Sequence, residues 1–91
     1  MNKVLSMIDP QILKLIRCPI SGRRLAVAAP ELIERVNQAI LAKRLENRLG
    51  QSITEPMEGA LVDEAHEWLL PVRRSVITMV ADELVPLKNL E

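Results

Sequence analysis

The spacing of apolar residues changes near Gly59, and this change restricts the chain to a mixed fold. Before Gly59, residues 30–49 carry apolar side chains at helical intervals. After it, short runs rich in Val, Ile and Leu alternate with charged residues. Helical intervals are typical of an amphipathic helix, whereas short β-branched runs bounded by turn residues are typical of strands. The sequence therefore predicts an α+β fold, a small antiparallel sheet with a helical insert between its two halves, in a single domain over residues 1–91.

The helix at residues 30–49 is predicted from both of its ends. Pro30 occupies the first helical position, Glu31 lies in the first turn, and Gly50 follows as a terminator. Its apolar side chains form two stripes at an angle to each other, at positions 33, 36 and 40 and at positions 41, 45 and 49. Two stripes indicate that this helix contacts more than one surface.

Shorter elements are predicted on either side of this helix. Asp9 as an N-cap and Pro10 at the first helical position predict about two turns of helix to Arg17, and Pro19 ends them. Strands are predicted at residues 24–28, 60–62, 68–72 and 76–80. Because proline cannot donate a backbone hydrogen bond, Pro71 is expected at a sheet edge or a bulge.

The composition favours a binding protein over an enzyme. Twelve basic and twelve acidic residues leave no net charge, which disfavours a polyanion-binding tail. Trp68 is the only aromatic residue, so the chain lacks the material for a base-stacking platform. One histidine, one cysteine and no glycine-rich phosphate loop leave few candidate catalytic groups. We therefore expect neither enzymatic activity nor a cofactor.

The sequence also predicts a cytoplasmic protein that does not enter the membrane. Cys18, the only cysteine, cannot form an internal disulfide, and residues 1–7 lack the long apolar core of a signal peptide. The longest uncharged stretches, such as residues 75–81, are far shorter than the ~18 apolar residues that span a bilayer.

Two separated segments carry a resemblance to a known family. Cys18-Pro19 with Leu25 forms the first, and Pro71-Val72 with Val76 and Glu83 forms the second. In order and spacing they resemble a small zinc-ribbon family, which contains the activator subunit of tRNA, ribosomal-RNA and release-factor methyltransferases and short bacterial relatives of the YcaR type. The resemblance covers roughly residues 8–28 and 59–85, and residues 29–58 correspond to the helical insert of the longer, activator-type members. It implies a ribbon-like antiparallel sheet and a non-catalytic subunit that docks on a methyltransferase and stabilises it.

The resemblance also assigns the four positions at which the family carries metal-binding cysteines. They correspond here to Cys18, Ser21, Asp63 and His66. Serine hydroxyl is a poor zinc ligand at neutral pH, so at most three ligands remain, with water in the fourth place. We therefore expect a metal-free ribbon in which Cys18 is a small buried hydrophobe, Ser21 caps its turn, and aliphatic packing replaces the metal. Asp63 and His66 are then expected at the surface or in a turn, and a weak residual metal site is the alternative.

Two catalytic interpretations of the same residues are weaker. Cys18 with His66 could act as nucleophile and base, but no orienting group or oxyanion donor stands at a recognisable spacing. Asp63, Glu64 and Glu67 could act as paired carboxylates, but carboxylates in turns are usually solvated. Both interpretations are alternatives to the binding function.

The predicted partner surface is an apolar sheet edge in the second half of the ribbon. In the family that the chain resembles, the client methyltransferase adds a strand to the sheet. The matching residues here are Leu70, Val72, Val76 and Ile77, with Trp68 as an anchor. The same side chains could instead form the core, with Trp68 as its chief residue. The alternative function is that of a metal-free, self-associating protein, which uses the same surface to form a homodimer and has no catalytic client.

Five arginines are the candidate contacts for RNA. Arg17, Arg23, Arg24, Arg73 and Arg74 are expected to form a basic patch on one end of the ribbon. Such a patch would contact RNA phosphates weakly or indirectly. The alternative is a solvated face that keeps the protein soluble.

Overall fold

A computed structural model describes residues 10–90 of the protein, and within them lie two α-helices and five β-strands. The helices are α1 (Pro10–Leu15) and α2 (Pro30–Leu41), and the strands are β1 (Leu25–Val27), β2 (Gly59–Asp63), β3 (Trp68–Arg73), β4 (Val76–Ile77) and β5 (Val85–Pro86). Short 3₁₀ helices follow at Ala81–Glu83 and Leu87–Leu90. Because α2 lies between β1 and β2 in the chain, the predicted α+β class with a helical insert is confirmed. No helix within residues 10–90 has the length and apolar content needed to cross a membrane.

All strand pairs are antiparallel, and the two halves of the sheet meet where β1 pairs with β2. The order is β1-β2-β3-β4, so the predicted strands after Gly59 form a meander in which consecutive strands pair. The fifth strand also pairs with β3, with Leu69 opposite Val85. Leu69 lies opposite Val62 of β2 as well, so β5 must occupy the same side of β3 as β4. Strand β3 is therefore central, with β2 on one side and β4 and β5 on the other.

Helix α1 and strand β4 are shorter than predicted. Helix α1 ends at Leu15 rather than at Arg17, and β4 ends at Ile77 rather than at position 80. Thr78 still donates its amide to β3, and the chain then runs toward β5 without a turn as far as Val80. The predicted N-cap, Asp9, lies outside the described residues.

Pro71 lies in the middle of the central strand, where it is buried. The expectation of a sheet edge or bulge is therefore wrong. The Pro71 carbonyl accepts a hydrogen bond from the Thr78 amide at 2.8 Å. In an extended strand the nitrogen and the carbonyl of one residue point the same way, so the ring nitrogen faces the side of β4 and β5. Register places Pro71 between the residues that pair with β4 and those that pair with β5, and the missing donor costs little at this gap.

The sheet separates two hydrophobic cores. The first core lies between the sheet and α2 and contains Ala28, Ile33, Val36, Ala39, Ile40, Leu45, Met57, Ala60, Val62, Leu69, Val85 and Leu90. The second core lies on the opposite face and contains Cys18, Leu25, Leu61, Leu70, Val72 and Leu84. Around the second core pack the half-buried side chains of Leu13, Ile16, Ile20, Val27, Trp68 and Ile77. Successive residues of a strand point to opposite faces of the sheet. Because both faces are covered, every residue of β2 is buried.

Helix α2 ends at Leu41, eight residues before the predicted end. The amide of Arg44 donates to the Ala39 carbonyl at 3.1 Å and that of Lys43 to the Ile40 carbonyl at 3.0 Å. With Lys43 in the left-handed region at φ 58°, this is a Schellman termination. The stripe at positions 33, 36 and 40 is buried as predicted, but the stripe at 41, 45 and 49 does not exist. Leu45 is fully buried, whereas Leu41 is 76% exposed, and a continuous helix would place both on one face.

Candidate functional site

Two turns face each other at one end of the sheet, and Asp63 connects them. The first turn spans residues 18–22, and the second spans residues 63–67 between β2 and β3. The Asp63 carboxylate accepts hydrogen bonds through Oδ1 from the amides of Glu67 (2.8 Å) and Trp68 (3.2 Å). Its Oδ2 accepts one from the Ser21 hydroxyl at 3.0 Å. Because Asp63 is only 1% exposed, these donors replace the water that the buried carboxylate has lost.

The four residues that align with metal ligands lie in different environments in the structure. Cys18 is buried in the second core, and Ser21 caps its turn by accepting the Arg23 amide at 3.3 Å, both as predicted. Asp63 begins the second turn, which agrees with the expected turn position, but its carboxylate is buried and does not lie at the surface. His66 is exposed in the second turn, where its amide donates to the Asp63 carbonyl at 2.9 Å. Within residues 10–90, no three His, Cys, Asp or Glu side chains are grouped as a metal ion would require.

The two catalytic interpretations find no support in this geometry. The Cys18 thiol is buried, while His66 lies exposed in the other turn. Glu64 and Glu67 are both exposed, and each has a different partner: the backbone amide of Arg24 donates to the Glu64 carboxylate at 3.2 Å, and the Arg23 guanidinium lies 3.9 Å from the Glu67 carboxylate. Both Asp63 carboxylate oxygens already accept hydrogen bonds, Oδ1 within the second turn and Oδ2 from Ser21 in the first turn.

An apolar segment follows β3 at the outer border of the sheet. We call residues 76–80 the β4 edge, because β4 and its extended continuation form this border. Val76 is 65% exposed, Met79 39% and Val80 57%, while Ile77 packs partly on the second core. No strand within residues 10–90 pairs with the outer side of β4. This border therefore combines exposed aliphatic surface with strand backbone that a partner can reach.

The structure divides the predicted partner residues into two groups. Leu70 and Val72 are fully buried in the second core, so the expectation that they face a partner is wrong. They lie on the central strand, whose two faces are both covered. Val76 and Ile77 do lie on the β4 edge, and Trp68 is half-buried against the second core. Met79 and Val80 were not among the predicted partner residues, although they belong to the same apolar run.

The five arginines do not form one basic patch, and that expectation is wrong. Arg24 precedes Leu25, which pairs with Asp63 at one end of β2, whereas Arg73 follows Val72, which pairs with Gly59 at the other end. The length of β2, roughly 15 Å, separates them. Arg73 and Arg74 lie 3.8 and 3.7 Å from the Glu55 carboxylate, and the Arg17 guanidinium donates to the Lys14 and Ile16 carbonyls. An extended phosphate backbone would therefore not meet these arginines on a single face.

A shallow cleft of about 520 Å³ adjoins the second turn. Its lining includes His66, Trp68 and Pro86 together with charges of both signs, such as Lys88 and Glu46. Part of its polar lining is bonded within the protein, as when the Asn89 side-chain amide donates to the Glu46 carbonyl at 3.0 Å. The mixture of acidic and basic side chains does not indicate one class of ligand.

No protein-family model and no curated protein matches the chain. A similar fold is found in the solution NMR structure of XF2673 from Xylella fastidiosa, with a TM-score of 0.73 and 17% sequence identity. The alignment covers 91% of this chain and 86% of that one. At this identity the likeness extends to the fold alone.

Proposed function

We propose that the protein is a non-catalytic subunit that docks on a methyltransferase of the tRNA, ribosomal-RNA or release-factor type and stabilises it. The β4 edge carries this proposal. Its exposed side chains of Val76, Met79 and Val80 stand next to strand backbone on the border of the sheet. A strand added by the client would satisfy that backbone and remove the aliphatic side chains from water.

The choice of a methyltransferase as client rests on the resemblance in the two sheet halves. Two features of the fold support it. The helix α2 is inserted between β1 and β2, as in the longer activator-type members, and the two turns that would carry metal ligands face each other. Here the Ser21–Asp63 hydrogen bond takes the place of a shared metal. The proposal places the protein in the cytoplasm, because its one cysteine cannot form an internal disulfide.

The fold suits a docking role because it holds the β4 edge in place before a client arrives. Strand β3 is buried on both faces and begins in the turn that Asp63 closes. The β4 edge follows β3 through a tight turn in which Arg74 and Ser75 both have positive φ angles. A partner strand would therefore meet a border that is already ordered, which lowers the entropic cost of binding.

Capture of the client from an extract of the source organism tests this proposal. The full-length protein should retain a protein with methyl-transfer activity, and Val80→Asp should lose it because a charge would be buried at the interface. Leu41→Asp is the matched control, since Leu41 is also exposed but lies at the end of α2. Equal capture by both variants would place the docking surface elsewhere. Capture that depends on Val80 but carries no methyl-transfer activity would reject the methyltransferase as client.

A further inference from the structure

The contacts of the β4 edge with β3 determine which of its residues direct their backbone amide and carbonyl groups outward. Thr78 donates its amide to the Pro71 carbonyl, and Val76 pairs with Arg73 across the hairpin. Because successive residues of a strand direct their amide and carbonyl groups to opposite sides, those of Ile77 and Met79 point away from β3. Val80 keeps extended dihedral angles, φ −80° and ψ 119°. A further strand can therefore bond to this border only through Ile77 and Met79.

The sequence around Thr78 is self-complementary, because residues at equal distances before and after Thr78 are suited to pair with each other. Counting outward from Thr78, Ile77 matches Met79, and Val76 matches Val80. Four positions out, Arg74 matches Asp82, which carries the opposite charge. Both side chains are largely exposed despite their neighbours Glu55 and Arg48. Apolar residues thus oppose apolar residues if the extended segment pairs with a reversed copy of itself. Arg74, in the turn before β4, and Asp82, in the 3₁₀ helix after Val80, lie just beyond its two ends, so that opposite charges come near each other there.

We propose that two copies of this chain pair through their β4 edges as antiparallel strands related by a two-fold axis at Thr78. Ile77 of each copy then exchanges both backbone hydrogen bonds with Met79 of the other. Val76 packs against Val80, and Arg74 lies near Asp82. A two-fold axis at Thr78 is the register in which the outward backbone groups and the valines match, and it also brings the Arg74 end of each copy toward the Asp82 end of the other. Such a contact closes on itself, so it yields a dimer and not a fibre.

This pairing does not rest on the proposed function, although it uses the same border. A five-residue contact is small, so the dimer should be weak and should form only at high protein concentration. Sedimentation equilibrium should detect a monomer–dimer equilibrium in the full-length protein, which Val80→Asp weakens at least tenfold and Leu41→Asp leaves unchanged. A protein that stays monomeric up to about 1 mM would overturn the pairing, whether or not it binds a methyltransferase.

Cysteine cross-linking tests the register itself. Thr78→Cys should form a disulfide-linked dimer on mild oxidation, because residues on the axis face each other as a non-hydrogen-bonded pair with Cα atoms ~4.5 Å apart. Val76→Cys and Val80→Cys should each fail to link with themselves but should link when mixed. The native Cys18 is buried and does not compete. Failure of Thr78→Cys to link, or preferential self-linking of Ile77→Cys, would overturn the proposed register.

Exchanging the two charges provides a second test that leaves the hydrophobic contact intact. Arg74→Glu alone should weaken the dimer about tenfold, since each of two opposite-charge pairs becomes a like-charge pair. Asp82→Arg alone should have the same effect. An equimolar mixture of the two variants should restore association as a heterodimer. If the mixture associates no better than either variant alone, Arg74 and Asp82 do not face each other and the pairing is wrong.

Discussion

Ser21 and Asp63 lie 42 positions apart in the chain, and the Ser21 hydroxyl donates to the Asp63 carboxylate at 3.0 Å. This bond joins the first turn to the second at the end of the sheet. The same carboxylate closes the second turn by accepting two backbone amides. One buried side chain therefore adds a link between the segments before and after α2, next to the pairing of β1 with β2.

Asp63→Ala should be among the most destabilising single substitutions in the protein. It would leave the Ser21 hydroxyl and the amides of Glu67 and Trp68 without their acceptor, at a cost of ~3 kcal/mol in the free energy of unfolding. Ser21→Ala, which removes one donor and leaves the carboxylate its two amides, should cost only ~1 kcal/mol. Urea unfolding of both variants measures the difference. Similar losses for the two variants would mean that the carboxylate does not join the turns.

We expect the purified protein to contain no stoichiometric zinc when zinc is supplied during expression. Ser21 and Asp63 stand where thiolates would be needed, and they bind each other. Elemental analysis would contradict this expectation if it found one metal ion per chain. Cys18→Ala should then cost only the ~1–2 kcal/mol of a small core truncation, because no metal is lost with the thiol.

Lys43→Gly should stabilise the protein by ~1 kcal/mol. Lys43 occupies the left-handed position that ends α2, where a Cβ atom is unfavourable and glycine is not. Ala42→Gly is the control, because Ala42 has φ −81° and gains nothing from glycine. That variant should lose stability through the greater freedom of its unfolded chain. Thermal unfolding should therefore move the two midpoints in opposite directions.

The end of α2 illustrates what the spacing of residues can and cannot reveal. Pro30 marks the start correctly, and positions 33, 36 and 40 are buried as the helical spacing predicts. The predicted end of the helix is wrong because glycine, here Gly50, is the residue that usually terminates a helix. The helix in fact terminates at Lys43, a lysine that adopts the left-handed conformation typical of glycine. What ends the helix is tertiary: Leu45 enters the first core, which a continuous helix would prevent. Local sequence carries no signal for that contact.

The candidate site, like the helix, could be predicted from the sequence only in part. The apolar run that contains Val76 and Ile77 was identified from its composition, and it does lie on the border of the sheet. Leu70 and Val72 were misassigned because an apolar strand that is covered on both faces resembles one that faces a partner. The burial of Asp63 could not be predicted, since its donor Ser21 lies on the far side of the helical insert.

Ile40→Asp should lower the thermal midpoint by at least several degrees, whereas Leu41→Asp should change it little. Ile40 is buried in the first core, where an unpaired carboxylate is costly, and Leu41 faces solvent on the next position of the same helix. Circular dichroism during heating measures both midpoints. An unchanged midpoint for Ile40→Asp would mean that the first core does not contribute to stability as its packing indicates.

The disulfide-linked Thr78→Cys dimer should be unable to capture the methyltransferase. In the proposed pairing, Ile77 and Met79 of each copy already bond to the other copy, and these are the backbone groups that a client strand would need. Adding a reductant should restore capture, because the weak dimer then dissociates. Thr78→Ser, treated with the same oxidant and reductant, controls for effects of the reagents and should capture the client throughout. If the linked dimer captures the client as well as the reduced protein does, the client and the second copy occupy different surfaces, and the client must dock away from the β4 edge.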